Sequence, residues 1–285
     1  AGAYLMTVGP QILAADNGNP MDENRNGTPG EAGDAYAAGF TFQDGVGPDA
    51  FGYVATAYPY ESLDLAPGGA GVTTIVDGTD DGYAAIPLGT NTFRFYGVEY
   101  TGSNQLYVGA NGVITLGSGT GDWTNTDLTS VPSYRTIAPL WDDWVTNLNS
   151  TDAVLYKFDG NRLIVEWNQV EHYGTSVPVT FQAILQLNTT ATNASNIIYN
   201  YPDLDAGDAG YNNGASATVG IKDAGTQTPA GNRLLVSMND GNSPLVATGS
   251  ALRIIIPGLI AGTVFNDLDG DGTQDSGEGG LTGWT

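Results

Sequence analysis

An acidic loop near the carboxyl end carries the most complete set of possible metal ligands in the sequence. Counted as twelve residues from Asp267, it has carboxylates at positions 1, 3, 5, 9 and 12 and glycine at position 6. Calcium binds about six to eight oxygen atoms, which alternate side chains of a curled loop can supply while the glycine permits the turn. We therefore predict a calcium site. Its ligands are Asp267, Asp269, Asp271, Asp275, Glu278 and the carbonyl of Thr273.

A second loop, near the amino end, keeps positions 1, 3, 5 and 6 of the same pattern and then departs from it. Glycine stands at position 12, where calcium loops carry a bidentate acid. For this loop the sequence leaves two interpretations open, a calcium site and an ordinary solvated turn. Its candidate ligands are Asp22, Asn24, Asn26 and Thr28.

Two more acidic loops, residues 77–81 and 203–208, group their carboxylates without a complete calcium pattern. Aspartate and glycine favour turns because the short carboxylate can bond to the main chain and glycine tolerates unusual dihedral angles. We interpret both loops as plain turns.

The candidates for catalysis are few. His172 is the single histidine, and we interpret it as a hydrogen-bonded residue at the end of a strand. Asp142 or Asp143 could form a glycosidase pair with Glu166 or Glu171, since such enzymes place two carboxyl groups across a glycosidic bond. We favour a structural role, in which the two aspartates cap a loop beside buried aromatic rings. The sequence therefore predicts no enzyme.

The composition excludes several classes of partner. Acidic residues outnumber lysine and arginine 31 to 8, and the formal net charge of -23 would repel both nucleic acid and anionic lipid. The chain has no cysteine, which excludes disulfides and thiolate metal sites. Its most apolar stretch, residues 252–265, contains Arg253 and Pro257 and is too short to cross a bilayer. We expect a secreted protein from which a leader has been removed.

Four Asn-x-Ser/Thr sequences fit that extracellular setting and are possible glycosylation sites. A chain this rich in asparagine, serine and threonine also produces such sequences by chance, so modification and its absence are both open. The four are Asn26, Asn149, Asn188 and Asn193.

The elements that must position these residues are short β-strands. Runs of β-branched and aromatic residues alternate with turn residues from Phe51 onward, which is typical of a β-sandwich. Asn111-Gly112 predicts a tight hairpin, because such turns need positive φ values. Further strands are expected at residues 153–158, 162–167, 179–187, 197–201, 216–221, 233–238 and 251–256. We predict an all-β, antiparallel, jelly-roll-like sandwich at residues 49–257. A Gly/Asn-rich segment, residues 1–48, precedes it as a possible assembly arm, and a partial β-module, residues 258–285, follows.

The central region resembles the nidogen-like β-domain of bacterial surface proteins. That family implies an extracellular, adhesive or matrix-forming module and brings no catalytic residues. The matching motifs are residues 49–53 (DAFGY), 86–89 (IPLG), 93–97 (FRFYG), 108–116 (VGANGVITL), 137–143 (IAPLWDD), 165–167 (VEW), 181–185 (FQAIL) and 212–220 (NNGASATVG).

The tail, residues 262–278 and 280–283, resembles the opening of a serine-aspartate-repeat B-type calcium-binding domain. The resemblance implies the same calcium ligands as the loop pattern, although only the first part of such a domain is present.

Both ends are too poor in apolar residues to fold alone, so we expect them to dock on other copies of the chain. The sequence predicts a secreted or cell-surface structural protein that is stabilised by calcium and self-assembles into a filament, sheath or surface layer. The alternative is a carbohydrate-binding adhesin, in which Trp123 or Trp144 stacks on sugar rings of surface glycans.

Overall fold

The computed structural model of the chain describes residues 2–10, 12, 13, 18–20, 22, 24–42, 45–190, 194–257 and 276. The predicted β-module at 258–285 therefore lies almost wholly outside the described residues. So do the sequon Asn193 and the predicted calcium ligands Asp267, Asp269, Asp271, Thr273, Asp275 and Glu278.

The described residues form strands and two short 3₁₀ helices, Ala32–Asp34 and Asn212–Gly214. The strands are β1 (Gly2–Val8), β2 (Tyr36–Phe42), β3 (Gly45–Val46), β4 (Val54–Tyr58), β5 (Val72–Val76), β6 (Tyr83–Ile86), β7 (Gly89–Phe95), β8 (Val98–Gly102), β9 (Leu106–Gly109), β10 (Val113–Leu116), β11 (Arg135–Trp141), β12 (Trp144–Val145), β13 (Ala153–Asp159), β14 (Arg162–His172), β15 (Val179–Gln186), β16 (Ile197–Asp203), β17 (Thr218–Lys222), β18 (Arg233–Met238) and β19 (Ser250–Ile255).

Residues Gly45–Pro257 form one compact unit, which is built on two antiparallel sheets. The larger sheet has the order β3-β4-β19-β16-β15-β14-β13-β5, with β12 beside β14. The smaller sheet has the order β18-β17-β11-β10-β9-β6, and β7 pairs with β8 separately. The predicted all-β antiparallel sandwich is confirmed.

Inward-facing side chains of both sheets form the main core. Val165 and Trp167 of β14 pack with Ile114 of β10 in the same buried cluster. The indole of Trp167 also makes a polar contact across the interior, where its Nε1 donates a hydrogen bond to the Gly109 carbonyl at 2.9 Å. Each buried donor that is satisfied in this way avoids the cost of an unmade hydrogen bond.

The central strands of the larger sheet are buried on both faces. Outward-facing Leu155, Ile164 and Ile184 form a second apolar cluster with Leu65, which belongs to the segment between β4 and β5. β7 differs from these central strands, because its buried Phe93 and Phe95 alternate with partly exposed residues.

The hairpin at Asn111-Gly112 exists, but its loop differs from the predicted two-residue turn. Val113 pairs with Gly109, so the loop has three residues, and Gly112 has a φ of 75° while Asn111 does not adopt a positive φ. Tertiary contacts of the Asn111 side chain explain this difference. Asn111 is buried, with its Nδ2 donating to Asp81 at 2.9 Å and its Oδ1 accepting from the Trp144 amide at 3.0 Å.

The first forty-odd residues contain more order than their composition suggested. β1 pairs with β2 in antiparallel register, from Gly2 with Phe42 to Val8 with Tyr36. Among the described residues, no helix is long and apolar enough to cross a membrane.

Candidate functional site

Three loops of the compact unit are tied together by main-chain hydrogen bonds. The Gly78 amide donates to the Thr146 carbonyl at 2.6 Å, and the Thr146 amide donates to Thr79 at 2.9 Å. The Tyr173 amide, just beyond β14, donates to the Asp143 carbonyl at 2.8 Å. These bonds hold the loop between β5 and β6, and the loop that follows β14, beside the residues on either side of β12.

This arrangement brings three carboxylates together, and we call Asp80, Asp81 and Asp143 the acidic cluster. One oxygen of each lies within 4.8 Å of the others. Asp80 Oδ1 is enclosed and has no hydrogen-bond partner among the described residues, whereas Asp81 Oδ1 accepts from Asn111. Three like charges at this separation oppose one another unless a proton or cation intervenes.

The electrostatics of the acidic cluster reflect that opposition. Burial raises the pKa of Asp143 and the charge of Asp80 raises it further, while His172 acts in the opposite direction. Burial also raises the pKa of Asp80, and the charge of Asp81 adds to the effect. Carboxylate oxygens are the ligands that calcium prefers, so these three residues could hold a cation whose remaining ligands are carbonyls or water.

From the sequence we interpreted Asp80 and Asp81 as part of a plain turn, and Asp143 as the cap of a loop beside buried aromatic rings. The residues lie on loops far apart in the chain, and no local spacing relates them. Only the pairing of the sheets brings Asp143 to the turn, so sequence patterns could not have found the acidic cluster.

His172 lies beside the acidic cluster in an aromatic and acidic environment. Its Nε2 is 3.2 Å from Asp142 Oδ1, its Nδ1 is 3.0 Å from the Tyr173 carbonyl, and its ring stacks on Tyr211 at 3.9 Å. Burial lowers the pKa of His172, but Asp142, the Tyr173 carbonyl and Asp143 together raise it above its usual value.

Asp142 is the central member of a hydrogen-bonded chain rather than the end of one. Ser216 Oγ donates to its Oδ2, and His172 contacts its Oδ1. A serine hydrolase needs histidine between serine and aspartate so that histidine can take the serine proton. In this chain aspartate stands between serine and histidine, so the order does not suit that reaction.

The two glutamates considered as partners in a glycosidase pair are both enclosed. Glu166 is fully buried on the outer face of the larger sheet, beneath the segment between β4 and β5. Glu171 is 4% exposed and accepts a 2.6 Å hydrogen bond from Asn149 Nδ2. Neither carboxyl group lines an open cleft, which a polysaccharide would need.

Hydrogen bonds link the predicted ligands of the amino-terminal loop. Asp22 accepts from the amides of Asn26 and Gly27 at 3.1 and 3.0 Å, and Asn24 Oδ1 accepts from Asn26 at 3.0 Å. Glu31, which the pattern did not include, receives hydrogen bonds from the side chains of Asn24 and Asn26. The Thr28 amide donates to Asn26 Oδ1 at 2.8 Å. Calcium binding here stays a prediction.

The second acidic turn, at residues 203–208, directs its carboxylates to its own main chain. Asp203 Oδ1 accepts from the Asp205 amide and Asp205 Oδ1 from the Gly207 amide, each at 3.0 Å. The turn borders an open cleft that Asn212, Asn213 and Thr248 also line, which the sequence did not indicate.

In the three described sequons, the asparagine side-chain amide donates hydrogen bonds to other residues of the chain. Asn188 Nδ2 donates to Asn91 and Asn161, Asn149 Nδ2 donates to Glu171 and to the Gln169 carbonyl, and Asn26 Nδ2 donates to Glu31. Glycosylation of the three stays a prediction.

The family of the chain follows from the sandwich and its sequence together. Residues 51–254 match the model of a family described as NIDO related, which covers most of the compact unit. The chain belongs to the NIDO-related family. NIDO-related domains are extracellular in general, which agrees with the resemblance stated from the sequence. No curated protein and no solved structure matches the chain. The family match ends before the tail, so the B-type module at 258–285 stays a prediction.

Proposed function

We propose that this NIDO-related protein is a secreted structural protein of the cell surface, stabilised by calcium and assembled from copies of itself. The observation that carries the proposal is the acidic cluster, which gathers three carboxylates within 4.8 Å on an extracellular type of domain. A divalent cation there would remove the repulsion among the three charges and join the two loops that carry them. The predicted tail loop, which resembles the start of a B-type domain, would bind a further ion.

A thermal unfolding titration with calcium tests the calcium part. We expect the Asp80→Asn/Asp143→Asn variant to be more stable than the wild type in chelator, because two repelling charges are removed. The same variant should gain less stability from calcium. One site at tenfold excess of calcium over its dissociation constant contributes about 1.4 kcal/mol.

The matched control is Asp203→Asn/Asp205→Asn, which removes the same charge from a turn whose carboxylates bond to main-chain amides. Its calcium response should equal that of the wild type. An equal calcium response in the cluster variant would refute a cation at the acidic cluster.

Self-assembly is supported by the outer strands of the sandwich. β5 ends the larger sheet and β6 ends the smaller one, and neither contains a charged residue or proline. Natural proteins usually block sheet edges with such residues, because a free edge accepts a strand from another chain.

Electron microscopy and light scattering test this part in calcium. We expect filaments or sheets from the wild type and their loss in Thr74→Lys, which places a charge on exposed β5. Thr90→Lys, on exposed β7 of the separate two-stranded β7-β8 sheet, is the control and should assemble. Dispersed wild-type monomers under these conditions would contradict assembly.

A carbohydrate-binding adhesin is the second candidate, and an exposed aromatic residue favours it. Trp123 is 54% exposed, as stacking on a sugar ring requires. The suggestion that Trp144 also stacks on sugars was wrong, since its ring is 1% exposed and its Nε1 donates to the Leu140 carbonyl. In a glycan-binding screen, Trp123→Ala should abolish any signal, while Leu148→Ala, equally exposed but not aromatic, should retain it.

A further inference from the structure

The segment between β4 and β5 crosses the whole outer face of the larger sheet. We call residues 59–71 the strap. β4 and β5 lie near opposite ends of the sheet, with β19, β16, β15, β14 and β13 between them. The strap therefore runs across these strands rather than beside one of them, and it cannot be held by a regular ladder of main-chain hydrogen bonds.

Three side chains in one row of the sheet replace that ladder. Asn200, Gln182 and Glu166 are direct register partners on β16, β15 and β14. They are linked to each other, because Asn200 Nδ2 donates to Gln182 Oε1 at 2.7 Å and Gln182 Nε2 donates to Glu166 Oε2 at 2.5 Å. All three are fully buried, so the row forms one continuous polar network.

Each member of the row binds the strap at a different point. Asn200 exchanges two hydrogen bonds with the main chain of Glu61, at 2.8 and 3.2 Å. Gln182 Nε2 donates to the Leu63 carbonyl at 2.9 Å. The row thus anchors alternate residues in the first half of the strap, at positions 61, 63 and 65.

The third anchor is the carboxyl group of Glu166. Its Oε2 accepts from the Leu65 amide at 3.2 Å, while its Oε1 is buried and has no partner in the part of the chain that the structure describes. The Leu65 side chain beside it packs on Leu155, Ile164 and Ile184. Glu166 therefore lies where the polar row meets the apolar patch, and both are covered by the strap.

No cation balances this carboxyl group within the described contacts. On the strap, the charge of Asp64 acts against ionisation of Glu166, and Glu61 is paired with Arg162 at 2.8 Å. Arg162, at the start of β14, is also paired with Asp159 at 2.7 Å. On β15 and β16 the facing groups are the neutral amides of the row.

Protonation of Glu166 is favoured by its surroundings. Burial raises the pKa of Glu166 from 4.5 to about 7 and Asp64 adds to the rise, while the hydrogen bonds from Gln182 and Leu65 oppose it. A carboxyl group with a raised pKa stabilises the closed arrangement fully below its ordinary pKa and loses that effect as pH rises through the raised value. Closure of the strap should therefore weaken between about pH 4.5 and 7.

We propose that the strap is a proton-controlled latch, closed while Glu166 is protonated and loosened when this buried carboxyl group ionises. Ionisation leaves an unpaired charge against the apolar patch, and lifting the strap gives that charge access to water. The same movement exposes Leu155, Ile164 and Ile184. The latch responds to pH without a metal ion, so it is independent of the calcium proposal.

Hydrogen–deuterium exchange of the full chain between pH 5 and 8 tests the latch. Rates are corrected for the intrinsic pH dependence of amide exchange, and a peptide spanning the strap is compared with one spanning β15. We expect protection of the Leu65 amide to fall by up to about tenfold per pH unit toward pH 7, while β15 stays protected. Glu166→Gln should hold strap protection constant with pH.

Two further variants keep the test decisive. Glu171→Gln neutralises another buried carboxyl group on β14 that is bonded to Asn149 and not to the strap, so the pH response of the strap should persist. Asp64→Asn removes the opposing charge and should move the midpoint of the response to lower pH even where Glu166→Gln folds poorly. The latch is overturned if the strap and β15 lose protection together, or if Glu166→Gln retains the wild-type pH response.

Discussion

Tyr199 on β16 donates its hydroxyl hydrogen bond to the Gly220 carbonyl on β17, 2.8 Å away across the interior of the sandwich. Tyr199→Phe keeps the ring in the core and removes only this bond. We expect a loss of about 1–2 kcal/mol in the free energy of unfolding, since a buried carbonyl loses a donor. Urea denaturation measures it. Tyr156→Phe, on partly exposed β13, is the control and should cost much less, because no hydrogen bond of its hydroxyl is found among the described residues.

Two hairpin glycines separate the effect of backbone conformation from that of close packing. Gly112 and Gly160 both have positive φ values, 75° and 59°. A Cβ atom at Gly160 would meet nothing within 4 Å, whereas one at Gly112 would overlap the Leu140 carbonyl. Gly160→Ala should therefore cost about 1–2 kcal/mol, the penalty of a left-handed conformation alone.

Gly112→Ala should cost clearly more than Gly160→Ala, because the main chain of β11 must move or the hairpin must shift. Thermal or urea unfolding of the two variants measures the difference. Equal losses would show that the contact between the hairpin and β11 is loose.

Local patterns predicted the strands well where alternation and turn residues coincide. β18 has the predicted bounds Arg233–Met238, and β19 differs from its prediction by one residue at each end. In each case a short apolar run ends at residues such as glycine, asparagine or proline, so the necessary information is contiguous.

The strap and the acidic cluster could not be predicted in the same way. Leu63 and Leu65 of the strap alternate with exposed residues, but this local pattern does not say which strands the segment crosses. Its path depends on Glu166, Gln182 and Asn200, which lie on three strands much later in the chain. Asp143 reaches Asp80 only after the sheets have paired. The Asn111 main chain likewise follows its buried side-chain contacts rather than the turn preference of an Asn-Gly pair.

Because of Lys222, the free energy of unfolding should increase with pH in the alkaline range. Its Nζ is buried and donates to the Pro132 and Gly225 carbonyls at 2.5 and 2.7 Å. Burial lowers the pKa of Lys222 from 10.5 to about 8, with the charge of Asp223 opposing. Between these values the unfolded chain binds more protons than the folded one, so unfolding becomes less favourable as pH rises.

Comparison with Lys222→Met isolates this contribution, because methionine is of similar length and does not titrate. The wild type should gain up to about 1.4 kcal/mol per pH unit over the variant between pH 8 and 10 in urea unfolding. A flat difference between the wild type and Lys222→Met over this range would mean that Lys222 stays charged in the folded protein.

Asn188 should remain unmodified in the folded protein even when a glycosylating host secretes it. Both hydrogens of its amide donate, to Asn91 Oδ1 at 2.9 Å and Asn161 Oδ1 at 3.2 Å, and its Oδ1 accepts from the Thr92 amide. An N-linked glycan replaces one of these hydrogens and would break a bond between loops distant in sequence. At Asn26 the amide makes one described bond, to Glu31, so a glycan there leaves that bond intact.

Peptide mass mapping of the secreted protein measures the occupancy of each site. We expect a glycan more often at Asn26 than at Asn188. Thr190→Ala destroys the sequon without changing Asn188 itself, so the mass of the secreted protein should fall only by the difference between threonine and alanine, and its yield should not change. A larger loss of mass would show that Asn188 carries a glycan in the native fold and that its contacts with Asn91 and Asn161 are dispensable.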